Sequence, residues 1–206
     1  MFLPNPIILD NVIPEKYQLE IEQTLTSLDF DWHFNKSVSY GEGNKVVENF
    51  KKNDENIIDG SAFVHRFFLN NKISDNNLLY KSQYCDFIRP ILFFVEEKLK
   101  IEIAEILRMR GVLTPPNSSS KNKYNIPHTD STEKHYTLIY YVNDNDGGTI
   151  LFKEKMENNI INFDKKNIDS FVQSKKGRIL LFDGLTYHTG VIPTDNKKIL
   201  ININFI

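Results

Sequence analysis

From about residue 103 onward, the chain consists of short apolar and β-branched runs separated by turn-forming residues. Runs of this length are typical of β-strands, and their close spacing predicts an all-β unit. We predict about eight strands, in the segments AEILRMRGVL, KHYTLIYYV, GGTILF, NIINF, SFVQ, GRILLF, HTGVI and KKILININFI. The segment NDNDGG, between the second and third strands, predicts a hairpin because Asn, Asp and Gly suit tight turns.

Helical periodicity is confined to the first half of the chain. Pro14 predicts the start of a helix whose apolar face comprises Tyr17, Ile21, Leu25 and Leu28. Caps at Ser74 and Asp75 predict a second helical segment, which Pro90 kinks or divides. Its apolar face would comprise Tyr84, Ile88, Ile91, Leu92, Val95 and Leu99. Between the two helices, Phe34 to Gly60 is polar and is expected to form exposed loops or edge strands, and is a candidate lid.

Helices followed by many short strands predict a mainly β fold with N-terminal helices. We expect a double-stranded β-helix (jelly roll) flanked by a helical layer, because such a barrel can hold one small ligand. The 206 residues suit a single domain spanning residues 1–206. Within it, residues 1–102 would provide helical support and variable loops, and residues 103–206 the jelly-roll core.

Composition narrows the classes of partner and compartment. Lys and Arg number 25 against 27 Asp and Glu, so the charge balance does not favour nucleic acid or an anionic membrane. The single cysteine, Cys85, has no intramolecular disulfide partner and is expected to be a buried thiol in a reducing compartment. The N-terminal sequence MFLPNPIILD resembles neither a signal peptide nor a membrane span. We therefore expect a cytoplasmic protein; the sequence does not indicate an oligomeric state.

Three residues form a candidate metal site. In an extended segment, residues i and i+2 project to the same side, so His128 and Asp130 can bind one ion together. His188 begins the strand HTGVI and would complete a set of two histidines and one carboxylate. This set leaves coordination positions open and is diagnostic of non-haem Fe(II) oxygenases. The alternative is a surface turn at His128 and an ordinary buried histidine at 188.

A lysine on the last strand is a candidate anion ligand. Lys198 could point into the barrel and bind a carboxylate through a charge-assisted hydrogen bond, and Lys197 is its competitor for this role. The alternative without a binding role is a solvated lysine that protects an edge strand from aggregation. Arg108 and Arg110 alternate on a predicted strand and could face an anionic substrate, although solvated arginines are commoner.

The chain resembles the 2-oxoglutarate- and Fe(II)-dependent oxygenases, in particular their prolyl 4-hydroxylase-like branch, over roughly residues 105–206. The resemblance depends on HTD, YTLIYYVNDNDGGTILF, GRILLFDGLTYH and KKILININF, in the order of the family. It implies that His128, Asp130 and His188 are catalytic iron ligands and that Lys198 binds the distal carboxylate of 2-oxoglutarate. It also implies cosubstrate contacts from Thr137 and Tyr141.

The resemblance implies a dioxygenase that uses Fe(II), 2-oxoglutarate and O2, with ascorbate as a supporting reductant. The implied reaction is hydroxylation of an unactivated C–H bond, first of all in a prolyl residue of a peptide or protein. A free amino acid or another small metabolite is the alternative substrate. Two other classes remain open: a cupin-type metal protein that uses His128, His135 and His188, and a non-catalytic jelly-roll module that binds a partner through Phe34 to Gly60.

Overall fold

A computed structural model of the protein describes residues 5–38, 54–71, 78–155 and 168–206, and these residues form two β-sheets, three α-helices and one short 3-10 helix (Ser118–Ser120). The helices are α1 (Glu15–Thr26), α2 (Cys85–Ile88) and α3 (Pro90–Leu99). The strands of the first half are β1 (Ile7–Leu9), β2 (His33–Asn35), β3 (Ile57–Ile58), β4 (Ala62–Asn71) and β5 (Leu78–Lys81). Those of the second half are β6 (Ile106–Thr114), β7 (Tyr124–Asn125), β8 (Tyr136–Tyr141), β9 (Gly148–Lys155), β10 (Ile168–Gln173), β11 (Ile179–Asp183), β12 (Thr186–Val191) and β13 (Lys198–Phe205).

The strands form a larger and a smaller sheet. The order in the larger sheet is β1-β11-β8-β13-β6-β4-β2, with β5 paired to β4. The smaller sheet has the order β10-β9-β12-β7-β3. Consecutive strands therefore alternate between the sheets along much of the second half. Among the described strands, all pairings are antiparallel except that of β3 with β7. The predicted mainly β jelly-roll class is confirmed.

The larger sheet is covered on both faces, which explains why its central strands are apolar throughout. On β8, Leu138 and Tyr140 pack in the core beneath the helices, whereas Ile139 and Tyr141 pack between the two sheets. All eight residues of β13 are buried. Because successive side chains of a strand point to opposite faces, the residues of β13 that share a face with Lys198 point into the space between the sheets.

The first helix begins as predicted, immediately after Pro14. Ile21 and Leu25 are fully buried against the larger sheet, and burial of such side chains stabilises the fold by about 1.5–3 kcal/mol each. The prediction for Leu28 is wrong. The helix ends at Thr26, so Leu28 leaves the apolar stripe and is fully exposed.

Pro90 divides the second helical segment, as one of the two predictions stated. Helix α2 ends at Ile88 and α3 begins at Pro90, where the missing N–H costs no hydrogen bond. The predicted start of this segment is too early, because Leu78–Lys81 forms β5 and pairs with β4. The proposed caps, Ser74 and Asp75, lie outside the described residues. Cys85 is a buried free thiol, as expected.

Strand β4 was not predicted. It pairs with β6, which lies far along the chain, so the first half contributes strands to the larger sheet as well as helices. Of the predicted strands of the second half, NIINF falls outside the described residues and the other seven are present. The candidate lid falls mostly on residues 39–53, which also lie outside the described parts of the chain.

The predicted hairpin at NDNDGG is wrong. The segment does turn the chain, but β8 belongs to the larger sheet and β9 to the smaller one, so the connection crosses between the sheets. Side-chain hydrogen bonds hold it, including one from the Gly147 amide to Asn145 Oδ1 at 2.9 Å. Within the described ranges, no helix is long and apolar enough to span a membrane.

Candidate metal centre

The chain brings the three predicted ligands together at the edge of the space between the sheets. His188 is the third residue of β12, and His128 forms an isolated antiparallel bridge with it. The two backbones exchange hydrogen bonds of 3.0 and 2.9 Å, and the centroids of the imidazole rings are 4.8 Å apart. One ligand atom from each of His128, Asp130 and His188 lies within 4.8 Å of the others, a spacing that can hold a metal ion.

Backbone hydrogen bonds fix which nitrogen of each histidine is free. Nδ1 of His128 donates to the Ile126 carbonyl at 3.0 Å, and Nδ1 of His188 donates to the Thr186 carbonyl at 3.1 Å. A carbonyl oxygen can only accept, so the proton lies on Nδ1 and the lone pair on Nε2 is available. This arrangement orients histidine ligands in metal proteins. The donor set therefore fits a divalent metal.

Ionisation of the three groups also suits metal binding. Burial, followed by the neighbouring His188, lowers the pKa of His128 to about 3, and burial lowers the pKa of His188. Both rings are therefore neutral near pH 7. Burial raises the pKa of Asp130, but the guanidinium groups of Arg108 and Arg110 outweigh it and hold that pKa well below its usual range. The site thus presents two neutral imidazoles and one carboxylate.

Two asparagines position the carboxylate of Asp130. Asn202 and Asn204 donate from Nδ2 to Asp130 Oδ2 at 2.9 and 3.0 Å, and this oxygen lies 3.8 Å from His188 Nε2. Asn204 also donates to the Thr137 hydroxyl at 3.0 Å. Both asparagines lie on β13 on the same face as Lys198. Neither asparagine was predicted as a site residue. The available signal was their alternation along an otherwise apolar strand, because buried polar side chains require partners.

Loss of Asn204 is expected to weaken metal binding. In Asn204→Ala, Asp130 loses one of the donors that orient it, so the Kd for Mn(II) should rise roughly 10–100-fold. The measurement is a titration of the metal-free protein with Mn(II). Asn196→Ala, at an exposed position, is the matched control. Equal Mn(II) affinity in the folded Asn204→Ala and wild-type proteins would show that Asn204 does not orient the ligand.

Lys198 is buried, unlike its competitor. Its side chain is 1% exposed, whereas Lys197 is exposed. The ammonium donates to the carbonyls of Gly148 and Val191. A Cβ atom at Gly190 would lie 3.1 Å from Nζ, so the glycine leaves room for the ammonium. Burial lowers the pKa of Lys198 to about 7, and Asp146 opposes that shift.

A cavity between the sheets joins Lys198 to the candidate metal ligands. Its walls include His128 and His188, with Lys198 on the opposite sheet. Asn125, Thr149 and Gly190 contribute from the smaller sheet, and Arg110, Val112, Thr114, Ile139, Leu200 and Asn202 contribute from the larger sheet. A small anion bound to Lys198 would therefore share this cavity with the candidate ligands.

Thr137 and Tyr141 lie behind the wall of this cavity. The Tyr141 hydroxyl donates to Thr149 Oγ1 at 2.7 Å, and Thr149 lines the cavity. Thr137 reaches the site through Asn204, as described above. Both residues are fully buried. Their role as cosubstrate contacts stays a prediction. The hydrogen bonds described above are those expected of residues that support the cavity wall.

His135 is separate from the three candidate ligands. Among the described residues, the group whose spacing suits a metal consists of His128, Asp130 and His188 alone. Nδ1 of His135 donates to the Glu133 carbonyl at 2.7 Å, and its ring packs against Gly184. A cupin-type site built from three histidines is therefore not the arrangement in this fold.

Comparisons with known proteins identify the fold. No family model and no curated protein matches the sequence. A 2OG-Fe(II) oxygenase family oxidoreductase from Burkholderia pseudomallei has a TM-score of 0.63 at 10% identity, over 97% of this chain and 84% of that one. A Trichoplax adhaerens prolyl hydroxylase, in complex with a hypoxia inducible factor peptide fragment, has a TM-score of 0.58 at 14% identity, over 98% and 83%.

A third structure widens the range of chemistry found on this fold. SnoN, a non-heme alpha ketoglutarate dependent epimerase from nogalamycin biosynthesis, has a TM-score of 0.56 at 12% identity, over 98% of this chain and 77% of that one. At such identities the likeness concerns the fold and not the substrate. The protein has the jelly-roll fold shared by 2-oxoglutarate- and Fe(II)-dependent oxygenases.

Proposed function

We propose that the protein is a 2-oxoglutarate-dependent non-haem iron dioxygenase that hydroxylates an unactivated C–H bond. The observation that carries the proposal is the cluster of His128, Asp130 and His188, in which both Nε2 lone pairs are free and a buried lysine lines the same cavity. Two histidines and one carboxylate leave coordination positions for a cosubstrate and O2. Fe(II) and 2-oxoglutarate would supply the oxidising chemistry.

Each residue of the site has a separate task in this proposal. His128, Asp130 and His188 would hold Fe(II), and Asn202 and Asn204 would keep the Asp130 carboxylate in position. Lys198 would bind the distal carboxylate of 2-oxoglutarate and so fix its orientation before reaction. The walls between the two sheets would exclude water from the reacting groups.

For the substrate we propose a prolyl residue of a peptide or protein, or else a free amino acid or other small metabolite. The peptide is supported by the similar fold of the prolyl hydroxylase from Trichoplax adhaerens, which was solved with a peptide fragment. The small molecule is supported by a structure of the epimerase SnoN in complex with Fe3+, alpha ketoglutarate and nogalamycin RO, which has a TM-score of 0.57.

The test begins with anaerobic addition of Fe(II) and 2-oxoglutarate to purified protein. A visible charge-transfer band is expected, because 2-oxoglutarate would chelate the iron, and exposure to air should then yield succinate. Ascorbate is added to keep the iron reduced. Protein loaded with Zn(II) is the control and should give neither band nor succinate. The proposal fails if the Fe(II)-loaded protein gives no band and no succinate.

A further inference from the structure

Three arginines lie side by side next to the candidate metal centre. Arg108 and Arg110 are on β6 and point towards Asp130, to which their Nη2 atoms approach at 2.6 and 3.2 Å. Arg66 is on the neighbouring strand β4, directly opposite Arg110 in the register. Residues paired in this way project from the same face of a sheet, so the three side chains share the face that carries the cavity.

A bulge in β4 separates the environments of Arg66 and the next residue. The register shifts between Arg66 and Phe68, and Phe67 is fully buried in the core beneath the helices. Arg66 is exposed. Bulges of this kind occur next to active sites, where they change the direction of a side chain. Arg66 therefore stays exposed opposite Arg110, while the next residue, Phe67, packs in the core.

The charges of this cluster are not balanced by the described residues. Like charges on directly opposed residues of a sheet destabilise it, and Arg66 faces Arg110 in this way. Among the described residues, Asp130 is the one carboxylate that pairs with Arg108 and Arg110. Asp130 is also a candidate metal ligand, and a divalent ion would take up its charge. An excess of positive charge therefore remains.

Some hydrogen-bond donors of the three arginines also have no acceptor among the described residues. A guanidinium has five N–H donors, and the hydrogen bonds of Arg108 and Arg110 to the described residues involve Nη2. The Nε atoms of both arginines are buried and have no acceptor among the described residues. The side chains of Arg108 and Arg110 are 23% and 22% exposed, so a ligand can reach the part of each guanidinium that is not buried.

We propose that the substrate carries a carboxylate, bound by Arg66, Arg108 and Arg110 near the C–H bond that is oxidised. The inference rests on the proposed function and specifies its substrate class. Paired guanidinium donors match the two oxygens of a carboxylate, which a neutral amide cannot replace. The carboxylate belongs either to a free amino acid or to an acidic side chain of a peptide, because both present the same group.

The test compares carboxylates with their amides. The protein is loaded anaerobically with Fe(II) and saturating 2-oxoglutarate, which occupies Lys198, and the charge-transfer band is recorded. L-Amino acids, including L-proline, are then compared by calorimetry with the corresponding amino-acid amides. A peptide with Glu beside a prolyl residue is compared with its Gln counterpart. In at least one pair, the member with the carboxylate should bind at least about 10-fold more tightly than its amide counterpart.

Arg66→Gln is the informative variant, since Arg108 and Arg110 contact a candidate metal ligand. It should weaken binding of the preferred carboxylate about 10-fold or more and leave the 2-oxoglutarate dependence of the band in place. Arg89→Gln is the matched control: it removes the same charge at an exposed position beside Phe93 of α3. It should leave carboxylate binding unchanged.

The outcomes separate this inference from the proposed function. Tight binding of a free amino acid, or of the Glu peptide alone, supports the inference and identifies the source of the carboxylate. Equal binding of acid and amide, or no binding of any acid, overturns it while the band still supports the oxygenase. An equal loss of 2-oxoglutarate affinity in Arg66→Gln also overturns it, since the arginines would then serve the cosubstrate. Absence of the band contradicts both proposals.

Discussion

Replacing His188 by alanine is expected to abolish succinate formation and to reduce Fe(II) affinity by about 100-fold or more. Changes to residues that merely support a metal ligand commonly cost 10–100-fold, and removal of a ligand should cost at least as much. Two protein ligands would remain, His128 and Asp130, and neither can occupy the vacated coordination position. The measurements are a metal titration of the variant and a succinate assay in air.

The control for this change is His33→Ala. His33 is exposed on β2 and lies outside the group whose spacing suits a metal. His188 is 4% exposed, so its removal also leaves a small cavity, and His188→Gln provides a second variant that retains more of the side-chain volume. Near wild-type Fe(II) affinity in both His188 variants, with folding intact by circular dichroism, would contradict the assignment of this histidine as a ligand.

Lys198→Met is expected to raise the Kd for 2-oxoglutarate about 10–100-fold, because a charge-assisted hydrogen bond contributes about 1.5–3 kcal/mol. Methionine keeps the unbranched aliphatic chain but has no charge, so packing between the sheets should be preserved. Fe(II) affinity should change little, since Lys198 makes its hydrogen bonds to the carbonyls of Gly148 and Val191. The dependence of the charge-transfer band on 2-oxoglutarate concentration measures the effect.

The pH dependence of cosubstrate binding gives a second measurement on the same lysine. Burial lowers the pKa of Lys198 from 10.5 to about 7, so the free side chain loses its proton as the pH rises through 7. Binding of an anion requires the protonated form. The affinity for 2-oxoglutarate should therefore fall about tenfold per pH unit above 7, until the pKa of the bound form is reached. In Lys198→Met this decline should disappear.

Lys197→Met is the matched control for both measurements, because it removes the same charge from the neighbouring exposed residue. Its 2-oxoglutarate affinity and pH profile should equal those of the wild type. A large loss of affinity in Lys197→Met, with little change in Lys198→Met, would reverse the assignment of the two lysines.

The strands of the second half could be predicted from the sequence because they are buried. Burial between the helices and the smaller sheet requires nearly continuous apolar runs, as in β8 and β13, and such runs are visible without any tertiary information. The same is true of His128 and Asp130, whose common direction follows from local strand geometry. The break at Pro90 was equally readable, since a proline inside a helical segment kinks or divides it whatever the tertiary contacts.

Pairing over long distances explains what could not be predicted. The strand Ala62–Asn71 is defined by its pairing with β6. No local sequence pattern indicates a pairing partner so far along the chain. The turn at NDNDGG was recognised, but its local chemistry does not specify which sheet receives the next strand. Leu28 fits a helical stripe in the sequence, and only the end of the helix at Thr26 removes it from the core.

The sequence by itself determined the residue types of the candidate site. One can read two histidines, a carboxylate and a lysine on a terminal strand from the sequence without knowing any tertiary contact. Tertiary structure decided their surroundings. Folding brought Asn202 and Asn204 to Asp130, buried Lys198 beside Gly190 and set Arg66 opposite Arg110. These contacts join strands remote in the chain, and hydrogen bonds and charge pairs require distances of a few ångströms that sequence spacing does not specify.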